Sequence, residues 1–203
     1  MKGTFEETAR QLCHDLGLDA DKFLAYCQED EVGGYPEKWE VGSIWEVEGK
    51  VLYALTRILK PETVLEFGTR YGCSTAHFCA ALDRNGSGSV TTVDVLDFEP
   101  NARTHPRVWQ VVSEGVAFAR QWQEPIDLIF EDGPHSTEFT RDVIRLCLPH
   151  LNPGGVVLAH DACHYIVGEQ VSQGLREAIG DFGTILSEPS DCGLGYWRKD
   201  GGR

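Results

Sequence analysis

Residues 63–75, TVLEFGTRYGCST, decide the fold of this 203-residue chain. The apolar TVLEF predicts a buried strand, Gly68 and Gly72 predict a sharp turn, and a helix is expected to open at or near Ser74, whose hydroxyl is a candidate cap. Glycine at such a bend lets the backbone approach a ligand at the carboxyl end of a strand, which is where open α/β sheets bind nucleotides. The same glycines can also serve only tight turning and packing, so the loop alone leaves both uses open.

Short β-branched segments alternate with helical segments from residue 60 to residue 198. The predicted strands after TVLEF are SVTTVD, VWQVV, IDLIFE, GVVLAHD, TILSE and CGLGYWRK. The central ones are almost continuously apolar, which is typical of a parallel sheet covered by helices on both faces. TILSE and CGLGYWRK are close enough in sequence to pair as an antiparallel hairpin. We therefore predict an α/β core with a mostly parallel sheet.

Residues 1–59 predict a helical N-terminal extension, because apolar residues recur there at three- and four-residue spacing. Residues 31–42, EVGGYPEKWEVG, interrupt the helices with a glycine pair and a proline. This break is expected to be a connector or a mobile lid over a site.

The composition limits the partners and the location of the chain. A formal net charge of −14 disfavours nucleic acid and anionic membranes as partners, so a small-molecule substrate is expected. No stretch is apolar enough for a membrane span, and the N-terminus resembles no secretion signal, so a cytoplasmic location is expected. Seven cysteines without a C-x-x-C pair favour free thiols over disulfides or zinc. A homodimer is compatible with the sequence.

Acidic residues end three of the predicted strands, where a purely structural strand would more readily carry apolar residues. Glu66 stands near the end of TVLEF, two residues before Gly68, and Asp94 ends SVTTVD, where an acid can accept hydrogen bonds from ribose hydroxyls. DLIFEDGPHS then places Glu131, Asp132 and His135 at the same edge of the sheet. We expect these side chains to meet a ligand.

The order LEFGTRYG, TTVD, DLIFEDGPHS and LNPGGVVLAHD resembles the class I S-adenosylmethionine-dependent methyltransferase family. The resemblance covers roughly residues 61–198 and is strongest to the small O-methyltransferases of the catechol, caffeoyl-CoA and macrocin type. It implies a Rossmann-like methyltransferase domain over residues 1–203, with seven strands and an antiparallel last strand. It also places Trp39 and Trp45 in a segment that covers the acceptor, although a core role fits them equally well.

Roles carried over from the family concern first the methyl donor, S-adenosylmethionine. Asp94 would bind the ribose hydroxyls, and the loop would hold the amino-acid and ribose parts. Glu114 and Gly115 match the adenine-side segment by position rather than by residue type. The full set implied for donor binding is Glu66, Gly68, Thr69, Gly72, Ser74, Asp94, Glu114, Gly115 and Asp132.

A divalent metal site is implied by the metal-dependent members of the family, whose ligand positions fall here on Asp132, His160 and Asp161. The chain departs from them twice, since Pro134 replaces a second acid and His160 replaces an Asp. Imidazole suits manganese, iron or zinc better than magnesium, so the identity of the metal stays open. A solvated loop, with Asp132 only capping a turn, is the alternative interpretation of this cluster.

The sequence thus predicts methyl transfer to a hydroxyl oxygen of a small acceptor that the metal orients. Asp132 and His135 are the predicted catalytic residues, with His135 as the base because its ordinary pKa lies near physiological pH. Three alternatives stay open: a metal-independent methyltransferase that keeps His135 as base, a nicotinamide-dependent oxidoreductase, and a non-catalytic nucleotide-binding protein. The oxidoreductase is disfavoured, because the loop reads G-T-R-Y-G rather than G-x-G-x-x-G.

Overall fold

The computed structural model describes residues 4–30, 32, 44–97, 105–186 and 190–201. Its helices are α1 (Phe5–Leu16), α2 (Ala20–Glu29), α3 (Glu46–Leu59), α4 (Cys73–Asn85), α5 (Gly115–Ala119), α6 (Thr137–Cys147) and α7 (Gly168–Ile179). Its strands are β1 (Thr63–Phe67), β2 (Ser89–Asp94), β3 (Val108–Val112), β4 (Ile126–Glu131), β5 (Leu151–Ala159), β6 (Gly183–Ile185) and β7 (Leu194–Arg198).

The seven strands form one sheet in the order β3-β2-β1-β4-β5-β7-β6. Strands β1 to β5 pair in parallel, and β7 pairs antiparallel with both β5 and β6. The predicted fold class and the predicted terminal hairpin are therefore confirmed. The winding direction reverses between β1 and β4, and the crevice at such a switch point is where open α/β sheets bind their ligands.

Alternate residues of the central strands supply two apolar cores, one on each face of the sheet. Val64, Leu128 and Leu158 point to the face covered by α1 to α4, whereas Leu65 and Ile129 point to the face covered by α5 to α7. All five side chains are fully buried. Burying each one contributes roughly 1.5–3 kcal/mol, so the near-continuous apolar strands are stable only between two helical layers.

Local sequence signals set the helix ends. Thr4 and Glu7 form a capping box at the start of α1, and Ser136 accepts a hydrogen bond from Phe139 N at the start of α6. The expectation that Ser74 caps α4 is wrong. That helix begins at Cys73 after Gly72, and the Ser74 hydroxyl donates instead to Glu66.

Three helices precede the sheet as predicted, and α1 packs against β6 and β7. Most of the predicted connector or lid, including Trp39, lies outside the described residues. Trp45 is described and directly precedes α3, with its side chain about one-third exposed. Among the described helices, none is both long and apolar enough to cross a membrane.

Gly68 gives the first test of the fold. Its φ is +97°, and a Cβ there would lie 2.0 Å from the carbonyl oxygen of Asp132. Gly86 has a similar φ of +85°, but nothing lies within 4 Å of a Cβ there. We expect Gly86→Ala to cost about 1 kcal/mol of unfolding free energy, because only the positive φ opposes it. Gly68→Ala should cost at least ~4 kcal/mol or prevent folding, because backbone must also move.

Urea denaturation of both variants measures this difference, with Gly86→Ala as the control for backbone strain. Equal losses in the two variants would show that the approach of Gly68 to Asp132 is not a constraint on the fold.

Candidate functional site

A cavity of about 480 Å³ lies at the carboxyl edge of the sheet, over the switch point between β1 and β4. Residues that line it include nearly all of the predicted donor-binding set, with Gly72 and Glu66 as the exceptions. The members of the predicted set that line it are Gly68, Thr69, Ser74, Asp94, Glu114, Gly115 and Asp132. The sequence therefore identified this edge correctly as the place where polar side chains gather.

Asp94 ties the glycine loop to the end of β2. Its Oδ2 accepts hydrogen bonds from the backbone N–H groups of Thr69 and Arg70, both at 3.0 Å, and its Oδ1 accepts from Leu96 N at 3.1 Å. The sequence predicted only a ligand role for this acid. The carboxylate also shapes the loop, and it lines the cavity at the same time.

Glu66 does not lie where the sequence analysis placed it. The side chain is fully buried beneath the loop and does not line the cavity. Its two carboxylate oxygens accept hydrogen bonds from the hydroxyls of Ser74 and Thr75, each at 2.5 Å. Burial raises the pKa of Glu66 to about 7, although both hydroxyls favour the ionised form. Glu66 therefore holds the start of α4 against β1 and makes no direct contact with the cavity.

The predicted adenine-side pair has two different structural roles. The Glu114 carboxylate caps α5 by accepting from Val116 N at 3.1 Å and Ala117 N at 2.7 Å. Gly115 is required by packing, because a Cβ there would lie 2.8 Å from the ring of Phe139. Phe139 lines the cavity as well, and the sequence analysis did not identify it. Both residues border the cavity, but the Glu114 carboxylate is already hydrogen-bonded to the backbone of α5.

Left-handed backbone conformation is concentrated at this edge. Four described non-glycine residues have positive φ, and one of them, Lys60, ends a helix. The other three are Arg70 (φ 41°), His135 (φ 51°) and Asp161 (φ 58°). Such conformations cost of order 1 kcal/mol or more each and cluster at functional sites. The strain therefore supports a functional interpretation of the loops after β1, β4 and β5.

Asp132, His160 and Asp161 converge from the ends of β4 and β5. The Nδ1 atom of His160 lies 3.2 Å from Asp132 Oδ1 and 3.1 Å from Asp161 Oδ2, and one ligand atom from each residue lies within 4.8 Å of the others. Nδ1 is buried, yet it makes no hydrogen bond of acceptable geometry with any described residue. Two carboxylate oxygens and an imidazole nitrogen that lie this close together, with no well-aligned hydrogen bond to the nitrogen, could also coordinate one cation, so the residues present are compatible with a metal.

The electrostatics of this cluster follow from its mixture of carboxylates and imidazoles. Burial opposes the ionised form of Asp132, yet His160 and His135 lower the pKa of its carboxyl. The pKa of Asp161 is lowered in the same way. Burial works against the charged form of His160, but Asp132 and Glu48 hold its pKa well above the ordinary value.

His135 lies beside both carboxylates, with Nε2 2.8 Å from Asp161 Oδ2 and 3.6 Å from Asp132 Oδ1. Asp132 and Asp161 together raise the pKa of His135 to about 10. The expectation of an ordinary imidazole pKa is therefore wrong for this arrangement. The ring holds its proton at neutral pH for as long as the two carboxylates are its only charged neighbours.

One residue of the cluster was missed by the sequence analysis. Glu48 of α3 is buried, and its Oε2 lies 2.9 Å from His160 Nε2. Cys192 and His164 also lie near Asp161, with ligand atoms within 4.8 Å of one another. The chemistry-bearing residues thus come from α3, β4, β5 and the loop before β7.

Comparisons with known proteins agree with this architecture. A methyltransferase-domain family model matches residues 65–162. The chain is 29% identical over 85 residues to the polyamine aminopropyltransferase of Enterobacter sp. (strain 638), and 27% identical over 188 residues to the uncharacterized protein y4gI of Sinorhizobium fredii (strain NBRC 101917 / NGR234). These alignments cover 39% and 81% of this chain but only 29% and 20% of the relatives, so the chain spans less than a third of either relative.

Among solved structures, the O-methyltransferase from Bacillus cereus in complex with SAH superposes with a TM-score of 0.65 at 18% identity. The superposition covers 94% of this chain and 96% of that one. At this identity the likeness establishes the fold. The sheet order β3-β2-β1-β4-β5-β7-β6 and this superposition show that the chain has the Rossmann-like fold of the class I methyltransferases, and residues 65–162 match a methyltransferase-domain family model.

Proposed function

We propose that the chain transfers a methyl group from S-adenosylmethionine to a hydroxyl oxygen of a small molecule. One observation carries this proposal: the cavity lined by the glycine loop and Asp94 also reaches Asp132 and His135. A nucleoside held against the loop would therefore present its reactive end to a cluster of acid–base groups. The net charge of −14 supports a small acceptor over nucleic acid.

Donor binding is assigned to the loop and to Asp94. The carboxylate holds Thr69 N and Arg70 N through Oδ2, and its Oδ1 accepts from Leu96 N. A carboxylate oxygen accepts more than one hydrogen bond, so Asp94 keeps capacity for ribose hydroxyls. Gly68 and Gly115 line the same cavity, although the space left by their missing Cβ atoms is taken by Asp132 O and by the Phe139 ring.

Asp132, His160 and Asp161 would hold a divalent cation, as the convergence of their ligand atoms supports. Bound there, the cation would orient the acceptor hydroxyl and make its proton more acidic. His160 requires a free lone pair on Nδ1 to take part, and the two carboxylates supply the negative charge that a divalent ion prefers. Manganese, iron or zinc suits this mixed set better than magnesium.

His135 is assigned the role of the base that accepts the proton of the acceptor hydroxyl. In methyl transfer the C–S bond of the donor breaks, a C–O bond forms, and the hydroxyl proton leaves the acceptor oxygen. His135 can take that proton only after it has lost its own, which the carboxylates oppose by raising its pKa to about 10. Neutralisation of Asp132 and Asp161 by a bound cation would lower this pKa toward the physiological range.

A metal-independent reaction with His135 as base is the alternative within the same family. Aminopropyl transfer is a second type of group transfer to test, because one partial relative is named polyamine aminopropyltransferase. Mass spectrometry separates methyl from aminopropyl transfer. Hydroxylated metabolites incubated with S-adenosylmethionine would gain a methyl group, and polyamines incubated with decarboxylated S-adenosylmethionine would gain an aminopropyl group. Absence of any donor turnover in either incubation would favour a non-catalytic binding protein.

Residues 1–59 and 60–198 are proposed to act as one domain. Leu12 of α1 and Leu52 of α3 belong to the same apolar cluster as Leu128 of β4. The extension would then form part of the acceptor side of the site. A cytoplasmic location and a homodimer stay predictions.

The donor assignment predicts that S-adenosylhomocysteine raises the melting temperature and that NADH does not, because only a ligand bound by the folded state stabilises it. Asp94→Ala should weaken S-adenosylhomocysteine binding about 10-fold or more in isothermal titration calorimetry, since one charged hydrogen-bonding partner is worth roughly 1.5–3 kcal/mol.

Asp127→Ala is the matched control for Asp94→Ala. Asp127 also holds two successive backbone amides, those of Glu62 and Thr63, but it does so at the opposite end of the sheet. Both variants lose a carboxylate that supports the backbone, and only Asp94→Ala should lose ligand affinity. The donor role of Asp94 fails if the two variants bind alike, and stabilisation by NADH alone would reject the donor assignment.

The metal assignment predicts that Mn²⁺ affinity rises with pH. His160 and His135 both have raised pKa values, so each is protonated below that value, and a cation must displace those protons to bind. Calorimetry between pH 6 and 9, in buffers of different ionisation enthalpy, should show proton release. Asp132→Asn should abolish Mn²⁺ binding and turnover together, whereas Asp191→Asn, at an exposed carboxylate, should preserve both.

His135→Ala should keep Mn²⁺ binding but reduce kcat by about 100-fold or more, because a base acts in the transition state. A chelator should stop turnover and leave S-adenosylhomocysteine binding intact. Turnover that survives chelation would contradict the metal assignment and support the metal-independent reaction.

A further inference from the structure

Glu48 is a buried carboxylate on α3, outside residues 65–162 of the domain match. Four donors surround its two oxygens. Oε2 accepts from His160 Nε2 and Trp45 N, both at 2.9 Å, and Oε1 accepts from Ser190 Oγ at 2.5 Å and Gly193 N at 3.0 Å. A carboxylate that is satisfied so completely has a fixed position, and it lies on the far side of the His160 ring from Asp132 and Asp161.

The hydrogen bond to Glu48 determines which nitrogen of His160 carries a proton. A carboxylate accepts and does not donate, so Nε2 must carry the hydrogen. The opposite nitrogen, Nδ1, lies 3.2 Å from Asp132 and 3.1 Å from Asp161. A neutral ring in this tautomer directs its Nδ1 lone pair to the point where both carboxylates converge.

We propose that Glu48 is a positioning residue that fixes the tautomer and the orientation of His160 for divalent-metal binding. This inference rests on the metal-binding part of the proposed function. A metal-ligating histidine commonly donates its other N–H to a carboxylate, and the loss of such a partner costs about 10- to 100-fold in metal affinity. The N-terminal extension would then complete a site whose ligands all lie in the core.

A purely structural role for Glu48 is the competing explanation, because its bonds to Ser190 and Gly193 also tie α3 to the loop before β7. Two variants separate the roles. Ser190→Ala removes a structural partner of Glu48 without removing the bond to His160. Glu46→Gln repeats the change from acid to amide on the same helix, at an exposed residue paired with Lys50.

The test measures Mn²⁺ and S-adenosylhomocysteine affinities by calorimetry for the full chain and its variants. Glu48→Ala should lower Mn²⁺ affinity about 10- to 100-fold, and Glu48→Gln, whose amide oxygen can still accept from Nε2, about threefold or more. Ser190→Ala and Glu46→Gln should remain within about twofold of the parent chain. S-adenosylhomocysteine affinity should be the same in all of them.

The proposal is overturned if both Glu48 variants bind Mn²⁺ with affinities within about twofold of that of Glu46→Gln. If Glu48→Ala does not fold, the Mn²⁺ affinity of Glu48→Gln alone decides.

¹⁵N-histidine NMR of the metal-free chain tests the hydrogen bond separately. The His160 Nε2–H signal should be protected from water exchange and should lose that protection in Glu48→Ala, or in Glu48→Gln in part. If the parent chain binds no metal but this pattern holds, the proposed metal function fails and the positioning of His160 stands. An unprotected Nε2–H in the parent chain overturns the positioning itself.

Discussion

The close approach of two backbones at the switch point constrains everything else at this site. The chain leaves β1 at Gly68, which lies so close to the carbonyl oxygen of Asp132 that no Cβ can fit there. In addition, Asp132 N donates a hydrogen bond to Phe67 O at 2.8 Å. The loops after β1 and β4 are therefore held in contact. Asp94 braces one of these loops, and Asp132 begins the other, so the cavity and the acid–base cluster share a wall. Without this approach the two halves of the site would separate.

Most of the fold could be predicted from the sequence, because it depends on local patterns. The strands TVLEF and SVTTVD have the predicted bounds, since their β-branched, apolar pattern and the neighbouring turn residues mark them. The family resemblance supplied the strand count and the direction of the last strand. Strand boundaries are harder to predict where polar residues continue a strand. The predicted strand GVVLAHD starts at Gly155, whereas β5 begins at Leu151.

The site was harder to predict than the fold, because side-chain partners are set by contacts between residues distant in sequence. Glu66 was expected to face a ligand, yet the hydroxyls of Ser74 and Thr75 bind it beneath the loop. Glu48 carried one signal: it is spaced with the apolar Val51 and Leu52 on the buried face of α3. An acid on such a face must find a partner, but nothing in the sequence says that this partner is His160, 112 residues away.

His160 lies among three carboxylates, those of Glu48, Asp132 and Asp161. Asp132 and Asp161 carry two negative charges, which either the two protonated imidazoles or one divalent cation with neutral imidazoles can balance. If the proposed cation binds, it replaces those two protons without a change in the total charge of the cluster. A carboxylate at position 160 would add one more negative charge to this group and would lie against Glu48, whose Oε2 is 2.9 Å from His160 Nε2. Imidazole avoids this repulsion between buried carboxylates, because its Nε2 donates to Glu48 while its Nδ1 faces Asp132 and Asp161.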